Sequence, residues 1–172
     1  MKEELRQKYL LIRKNIKNKD TKDKAIYNKV INNSKIKSSN LILIYVSKKE
    51  EVDTINIINY FLKSKQIAVP KIENNIMNFY YIKSLNDLKK GSFNVLEPNT
   101  KDKVTDFNNC ISITPGICFS KDNYRIGYGK GYYDKFYEDN NIYSIGLCYK
   151  ECLLNSIPKD KGDIPVNEII TN

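Results

Sequence analysis

The sequence predicts a three-layer α/β/α sandwich around a mostly parallel sheet, on three observations. Short apolar runs of strand length alternate with segments of helical period along most of the chain. The runs are apolar at consecutive positions, as in strands covered on both faces. A length of 172 residues, with no Gly/Ser- or Pro-rich tract and no internal repeat, suits one domain over 1–172 with an ordinary core.

The elements follow in order. Residues 2–17 read as a helix whose stripe is Leu5, Tyr9, Ile12 and Ile16. A second helix is expected from Asp23 to about Ser34, with Thr21 as N-cap and Ile26 and Val30 inward. LILIYV at 41–46 is β-branched, aromatic and of buried-strand length. Helical period returns over 54–64 through Ile55, Ile58, Phe61 and Leu62, with Asp53 placed to cap. IAVP at 67–70 reads as a short strand stopped by Pro70, and MNFYYI at 77–82 as another, before GSFNVLEP ends in a turn. CISITPG at 110–116 is an apolar strand cut by Pro115–Gly116. A helix over 130–139 and a central strand over 142–148 complete a Rossmann-like alternation.

Composition removes several function classes. Hydrophobic residues make up 41% and charged residues 28%, a globular balance. The opening MKEELRQKYLL has charges throughout and no run approaches membrane-spanning length, so a cytoplasmic chain with no membrane partner is expected. Cys110, Cys118, Cys148 and Cys152 form no CxxC pair and read as reduced core thiols. The absence of His excludes a Ser–His–Asp triad and a His-based zinc site. The formal charge of +9 points to an anionic partner, whether nucleic acid, nucleotide or another anionic small molecule.

The chemistry concentrates in TPGICFSKDNYRIGYGKGYYDKFYED, residues 114–139, which starts where a strand ends. Open α/β sheets bind ligands at that edge. Gly127, Gly129 and Gly131 alternate there, enclosed by Arg125, Lys130 and Asp134. The spacing is neither a P-loop nor the dinucleotide fingerprint. Glycines nonetheless let backbone N–H groups approach a phosphate, and the helix that follows aims its N-terminus at it. Arg125 and Lys130 add cationic charge of the kind phosphoryl transfer needs, and Asp134 is a hard oxygen ligand suited to Mg²⁺. The tyrosines cluster in this loop instead of alternating with basic residues along a strand, so no nucleic-acid partner is expected.

RIGYGKGYYD at 125–134 closely resembles the R-L-G-x-G-K-G-Y-Y-D signature of the 5-formyltetrahydrofolate cyclo-ligase family. Supporting segments run in the family's order: KEELR at 2–6, YVSKKEEVDT at 45–54, VPKI at 69–72, PGICF at 115–119 and GDIPVNEIIT at 162–171. The resemblance implies ATP- and Mg²⁺-dependent cyclisation of 5-formyltetrahydrofolate to 5,10-methenyltetrahydrofolate; a monomer is expected. It implies ATP contacts from Lys2, Glu3, Glu4, Leu5 and Arg6 in the first helix. It adds Arg125, Ile126, Gly127, Tyr128, Gly129, Lys130, Gly131, Tyr132 and Tyr133, with Arg125 and Lys130 catalytic. Val46 and Glu51 match folate-contacting positions, joined by Tyr128, Gly129, Lys130, Gly131 and Tyr132, and Asp134 and Asp163 match the Mg²⁺ ligands. The pattern departs at Ser120, where Asp is common, at Asn123, where Gly is usual, at Gly162, where His is frequent, and at Asn167, where Asp is common. Asn tolerates the left-handed conformation, so the turn at Asn123 is expected to survive.

Overall fold

The computed structural model describes residues 1–172, the side chain of Phe93 excepted. Helices α1 (Lys2–Lys14), α2 (Lys19–Ile31) and the short α3 (Ser34–Ser38) lead into β1 (Leu41–Ile44). Then come α4 (Ile55–Phe61), β2 (Gln66–Glu73), β3 (Ile76–Ile82), β4 (Leu88–Lys90) and β5 (Leu96–Pro98). The second half runs β6 (Cys110–Thr114), β7 (Cys118–Ser120), β8 (Arg125–Ile126), α5 (Tyr132–Asp139), β9 (Tyr143–Cys148), β10 (Leu153–Leu154) and β11 (Glu168–Thr171).

The main sheet has the order β11-β9-β6-β1-β2-β3, and every neighbouring pair is parallel except β2 with β3. The four residues of β1 are all buried because both faces are covered. Ile42 and Ile44 pack with Ile26, Val30, Ile36, Ile57, Ile58 and Phe61 of α2, α3 and α4. Leu41 and Leu43 point the other way, to Phe136 and Tyr137 of α5. Beyond the edge of that layer, α1 lays Leu5, Tyr9 and Ile12 over a small sheet of order β10-β7-β8, against Cys118, Phe119, Ile126 and Cys152. The helix stops at Lys14, short of the expected residue 17, and Ile16 joins the same cluster from just past its end. The expected mixed α/β layering and the α1 stripe are both present.

Several boundaries differ from expectation for local reasons. The second helix begins four residues before Asp23, after Asn18, whose φ of 55° supplies the left-handed entry; Thr21 lies inside it. It stops at Ile31, and Asn33 starts α3 by accepting a hydrogen bond from the Ile36 amide at 3.1 Å. Asp53 does receive the Ile55 amide at 3.2 Å, although the helix itself opens after Thr54. Pro70 does not stop its strand: β2 continues to Glu73, because β1 pairs only with Gln66–Ala68 and leaves that side of Pro70 open. Asn74 and Asn75, with φ of 51° and 62°, then turn the chain tightly into β3. The apolar run at 110–116 ends as a strand at Thr114.

All four cysteines are free, three of them buried. Among the described residues no helix is long and apolar enough to cross a membrane.

Candidate active site

Three segments converge beyond the carboxyl ends of the central strands. Glu51 follows β1, Gly116 follows β6 and Tyr149 follows β9. The Tyr149 hydroxyl reaches the Glu51 carbonyl at 3.3 Å and donates to Asp23 Oδ1 at 2.5 Å. From Gly116 the chain makes the β7–β8 hairpin, turned at Asn123 with φ 72° as the sequence anticipated. It then runs through the glycine loop into α5. Gly131 precedes α5 with φ 69°, a left-handed entry that a side chain would strain, and points the first turn of the helix at the loop.

The first helix supplies cations to this loop from the far end of the chain. Arg6 Nε donates to the Gly127 carbonyl at 2.8 Å and Nη1 to Glu3 Oε2 at 2.8 Å. Its guanidinium packs so close to Gly129 that a Cβ there would lie 3.4 Å from Cζ. Lys2 Nζ sits 2.5 Å from Asp163 Oδ2 and 2.7 Å from Asp160 Oδ2. Burial alone would lower the Lys2 pKa, but these two carboxylates raise it above the ordinary lysine value. Burial would raise Asp163, yet the Asp160 amide and Lys2 hold it below the ordinary carboxylate value.

The loop residues divide by exposure. Lys130 is exposed and, among the described residues, makes no ion pair, so its ammonium is available to a ligand. Ile126 and Leu5 pack beneath the loop in the apolar cluster under α1. Tyr132 and Tyr133 pack against the α5 core, and the Tyr133 hydroxyl is buried with no partner among the described residues.

Arg125 departs from the expectation that it faces a phosphate. Its side chain is 6% exposed and spends its donors inward, on the Ile164 carbonyl at 2.9 Å and Asp134 Oδ1 at 3.0 Å. It therefore ties the start of the loop to α5 and to the closing segment. Val46 lies in the large core cluster beside Tyr45 and Val52, and Glu4 is exposed with no hydrogen bond to the loop among the described residues.

Glu51 is buried, at 6% exposure, an unusual place for a carboxylate. Its Oε1 accepts from the Tyr128 hydroxyl at 2.9 Å and its Oε2 from the Lys48 amide at 2.8 Å. Behind Tyr128 stands Arg13, whose Nη2 donates to the same hydroxyl at 2.7 Å and whose Nη1 donates to the Gly116 carbonyl at 3.1 Å. Burial, with the Glu51 charge, pushes the Tyr128 hydroxyl up to about 12, so it remains a donor. Arg13 did not stand out in the sequence, where it is one cation among many. The signal was its position, four residues after Tyr9 and three before Ile16, on the apolar stripe of α1.

Two carboxylates could hold a divalent cation. Asp134 uses Oδ1 for Arg125 and for the Ile164 amide at 3.0 Å, and Asp163 uses Oδ2 for Lys2 and for the Asp160 amide at 2.7 Å. Each keeps its second oxygen. Among the described residues no cluster of three acidic, Cys or His side chains exists. One or two carboxylates completed by water and ligand phosphates is the arrangement Mg²⁺ favours, so the donor set fits that ion.

A glycine-lined basic cradle with two flanking carboxylates, at the carboxyl edge of a mostly parallel sheet, defines an α/β enzyme site. A family model described as the 5-formyltetrahydrofolate cyclo-ligase family matches residues 1–172. The chain belongs to that family, an enzyme of the ligase class, as the RIGYGKGYYD signature suggested. It is 30% identical to the mouse (Mus musculus) 5-formyltetrahydrofolate cyclo-ligase, over 83% of this chain and 78% of that one. The NMR structure of Aquifex aeolicus 5,10-methenyltetrahydrofolate synthetase superposes with a TM-score of 0.87 at 29% identity, covering 99% of this chain and 89% of the other. A Mycoplasma pneumoniae 5,10-methenyltetrahydrofolate synthetase superposes at 0.76 and 26% identity, covering 99% and 98%.

Proposed function

We propose that residues 1–172 act as one cyclo-ligase domain that converts 5-formyltetrahydrofolate to 5,10-methenyltetrahydrofolate while cleaving ATP to ADP and phosphate. The carrying observation is the joining of distant segments around the glycine loop: Arg6 on Gly127, Lys2 on Asp163, and Tyr128 on Glu51. In this reading the ATP phosphates lie along Gly127–Gly131, against the N-terminus of α5, with Lys2, Arg6 and Lys130 around them. Arg125 positions Asp134. Glu51 accepts from the flat donor edge of the pterin, and Tyr128 and Tyr132 line the folate side of the loop.

The formyl oxygen attacks the γ-phosphorus of ATP, breaking its bond to the β,γ-bridging oxygen and releasing ADP. The folate N10 then attacks the activated formyl carbon, and phosphate leaves as the ring closes, carrying away the proton that N10 gives up. Lys130 places positive charge where the transferring group gathers negative charge, and the loop amides hold the two substrates aligned. No strong side-chain base is required, which suits a chain without His. Asp134 and Asp163 would hold Mg²⁺, whose contribution when bound is to neutralise phosphate charge. The partners are these small molecules alone, with no nucleic acid and no membrane, and the working unit is a cytoplasmic monomer.

The test is to mix purified protein, 5-formyltetrahydrofolate and MgATP and follow the absorbance of the methenyl product. Product that requires ATP and Mg²⁺ supports the reading. ATP binding without product would sink the folate assignment in favour of another acceptor for the phosphoryl group.

A further inference from the structure

Arg13 is a buried guanidinium, 6% exposed, and among the described residues no carboxylate touches it directly. A buried charge is costly unless it is paired, and here the nearest negative partner is one hydroxyl away. The Tyr128 hydroxyl accepts from Arg13 at 2.7 Å and donates to Glu51 Oε1 at 2.9 Å, so cation, phenol and carboxylate form a single line. The three residues come from α1, the glycine loop and the segment after β1, separated by 115 and 77 positions in sequence. The other fork nitrogen of Arg13 holds the Gly116 carbonyl, at the turn where the loop segment leaves β6. Lys48 contributes a backbone amide to Oε2, and its ammonium lies 4.7 Å from the Tyr128 ring centroid. Glu51 thus has one bond on each oxygen, and a carboxylate has about four acceptor sites. About two remain free, and the Tyr128 and Lys48 bonds set the plane in which they lie.

We propose that Arg13 is a positioning residue of the folate site: acting through the Tyr128 hydroxyl, it holds the Glu51 carboxylate in the plane that presents its two free lone pairs to the donor edge of the pterin. The inference rests on the reading of Glu51 as the pterin's acceptor. It assigns Arg13 no contact with either substrate. A plain structural role is too little for this geometry. A core cation serving stability alone would be paired with a carboxylate of its own layer, whereas among the described residues Arg13 bonds only the Gly116 carbonyl and the Tyr128 hydroxyl, one on each of two segments of the site.

The experiment compares Arg13→Met, Arg13→Lys, Tyr128→Phe and the Arg13→Met/Tyr128→Phe double variant with wild type in the methenyl-product assay, with KM measured separately for 5-formyltetrahydrofolate and for ATP. Loss of a hydrogen bond to a charged group corresponds to roughly a ten- to hundredfold effect. Expected is a folate KM raised by that factor in Arg13→Met, an ATP KM changed less than about threefold, and a smaller rise in Arg13→Lys, which keeps the charge but loses the fork. Because both substitutions cut the same line, the double variant should be no worse than the worse single one. Tyr128→Phe removes only a hydroxyl at a residue that is 44% exposed, so it reports even if Arg13→Met fails to fold. An unchanged folate KM in Tyr128→Phe, equal rises in both KM values, or multiplicative effects in the double variant would overturn the proposal while leaving the proposed function standing. A wild-type protein without turnover would remove the function and the inference together.

Discussion

Gly146→Ala tests how the site is propped from below. Gly146 lies in the middle of β9, and a Cβ built there would sit 2.3 Å from Phe119 Cε1 and 2.7 Å from Cζ. Phe119 cannot retreat: it is fully buried, and on its other side a Cβ at Gly116 would lie 2.6 Å from Cε2. The ring is therefore held between two glycines, which gives the PGICF segment a packing role beneath the loop. Overpacking of this kind costs about 1–3 kcal/mol, set against roughly 0.5–1 kcal/mol gained by removing a glycine from a strand interior. With the ring boxed in on both sides the upper part of that range, about 2–3 kcal/mol, applies. The net expectation is a loss of about 1–2.5 kcal/mol, read as a Tm lower by roughly 2–10 °C or a reduced urea midpoint at unchanged m. Phe119→Ala alone should cost about 3–5 kcal/mol, through the cavity it leaves. In the double variant the new methyl fills part of that cavity, so the loss should fall short of the sum by about 1 kcal/mol or more. A Gly146→Ala protein within about 0.5 kcal/mol of wild type, or strict additivity in the pair, would refute the packing argument.

Lys130→Ala should lower kcat by roughly 10²–10³ with Tm unchanged, because the exposed ammonium supports no fold contact but faces the proposed transferring group; activity and thermal melts on one preparation check both halves. Asp163 has a folded pKa held below its unfolded value, so its stabilising contribution is present above about pH 4 and is lost as pH falls through the lower, folded value. Asp163→Asn should therefore flatten the acid limb of a stability–pH profile and leave its slope near neutrality unchanged. Burial pushes the thiols of Cys110 and Cys118 up to about 12 and of Cys152 to about 11, with Cys148 raised as well. A disulfide-exchange reagent at pH 8 should then label the native protein slowly and all four cysteines rapidly once it is unfolded; fast native labelling would contradict the buried arrangement.

Much of the fold was legible because it depends on local pattern. Continuous apolar runs marked β1, β6 and β9, and the stripe on α1 named the residues that pack over the small sheet. The left-handed turn at Asn123 followed from the Gly usual at that place in the family pattern and from asparagine's tolerance of the conformation. Errors arose where a local cue had two meanings. Pro70 ends a central strand but not one whose neighbour has already stopped. Asn18 and the Asn74–Asn75 pair set turns through backbone conformation, a signal weaker than a side-chain cap.

By itself the sequence determined the layer architecture, the family through a contiguous ten-residue signature, and the position of the glycine loop after a strand. Those are short-range properties, set by period, turn chemistry and spacing. Only the tertiary structure decided which charges are spent and which are free. Arg125 and Lys130 stand five residues apart in one motif, yet one is buried on Asp134 and the other is open to solvent. Arg13, one of 29 cations in the sequence, becomes the buried end of a line through Tyr128 to Glu51. The reason is physical: a charge's role depends on its burial and its partners, and those partners come from segments that meet only when the chain has folded.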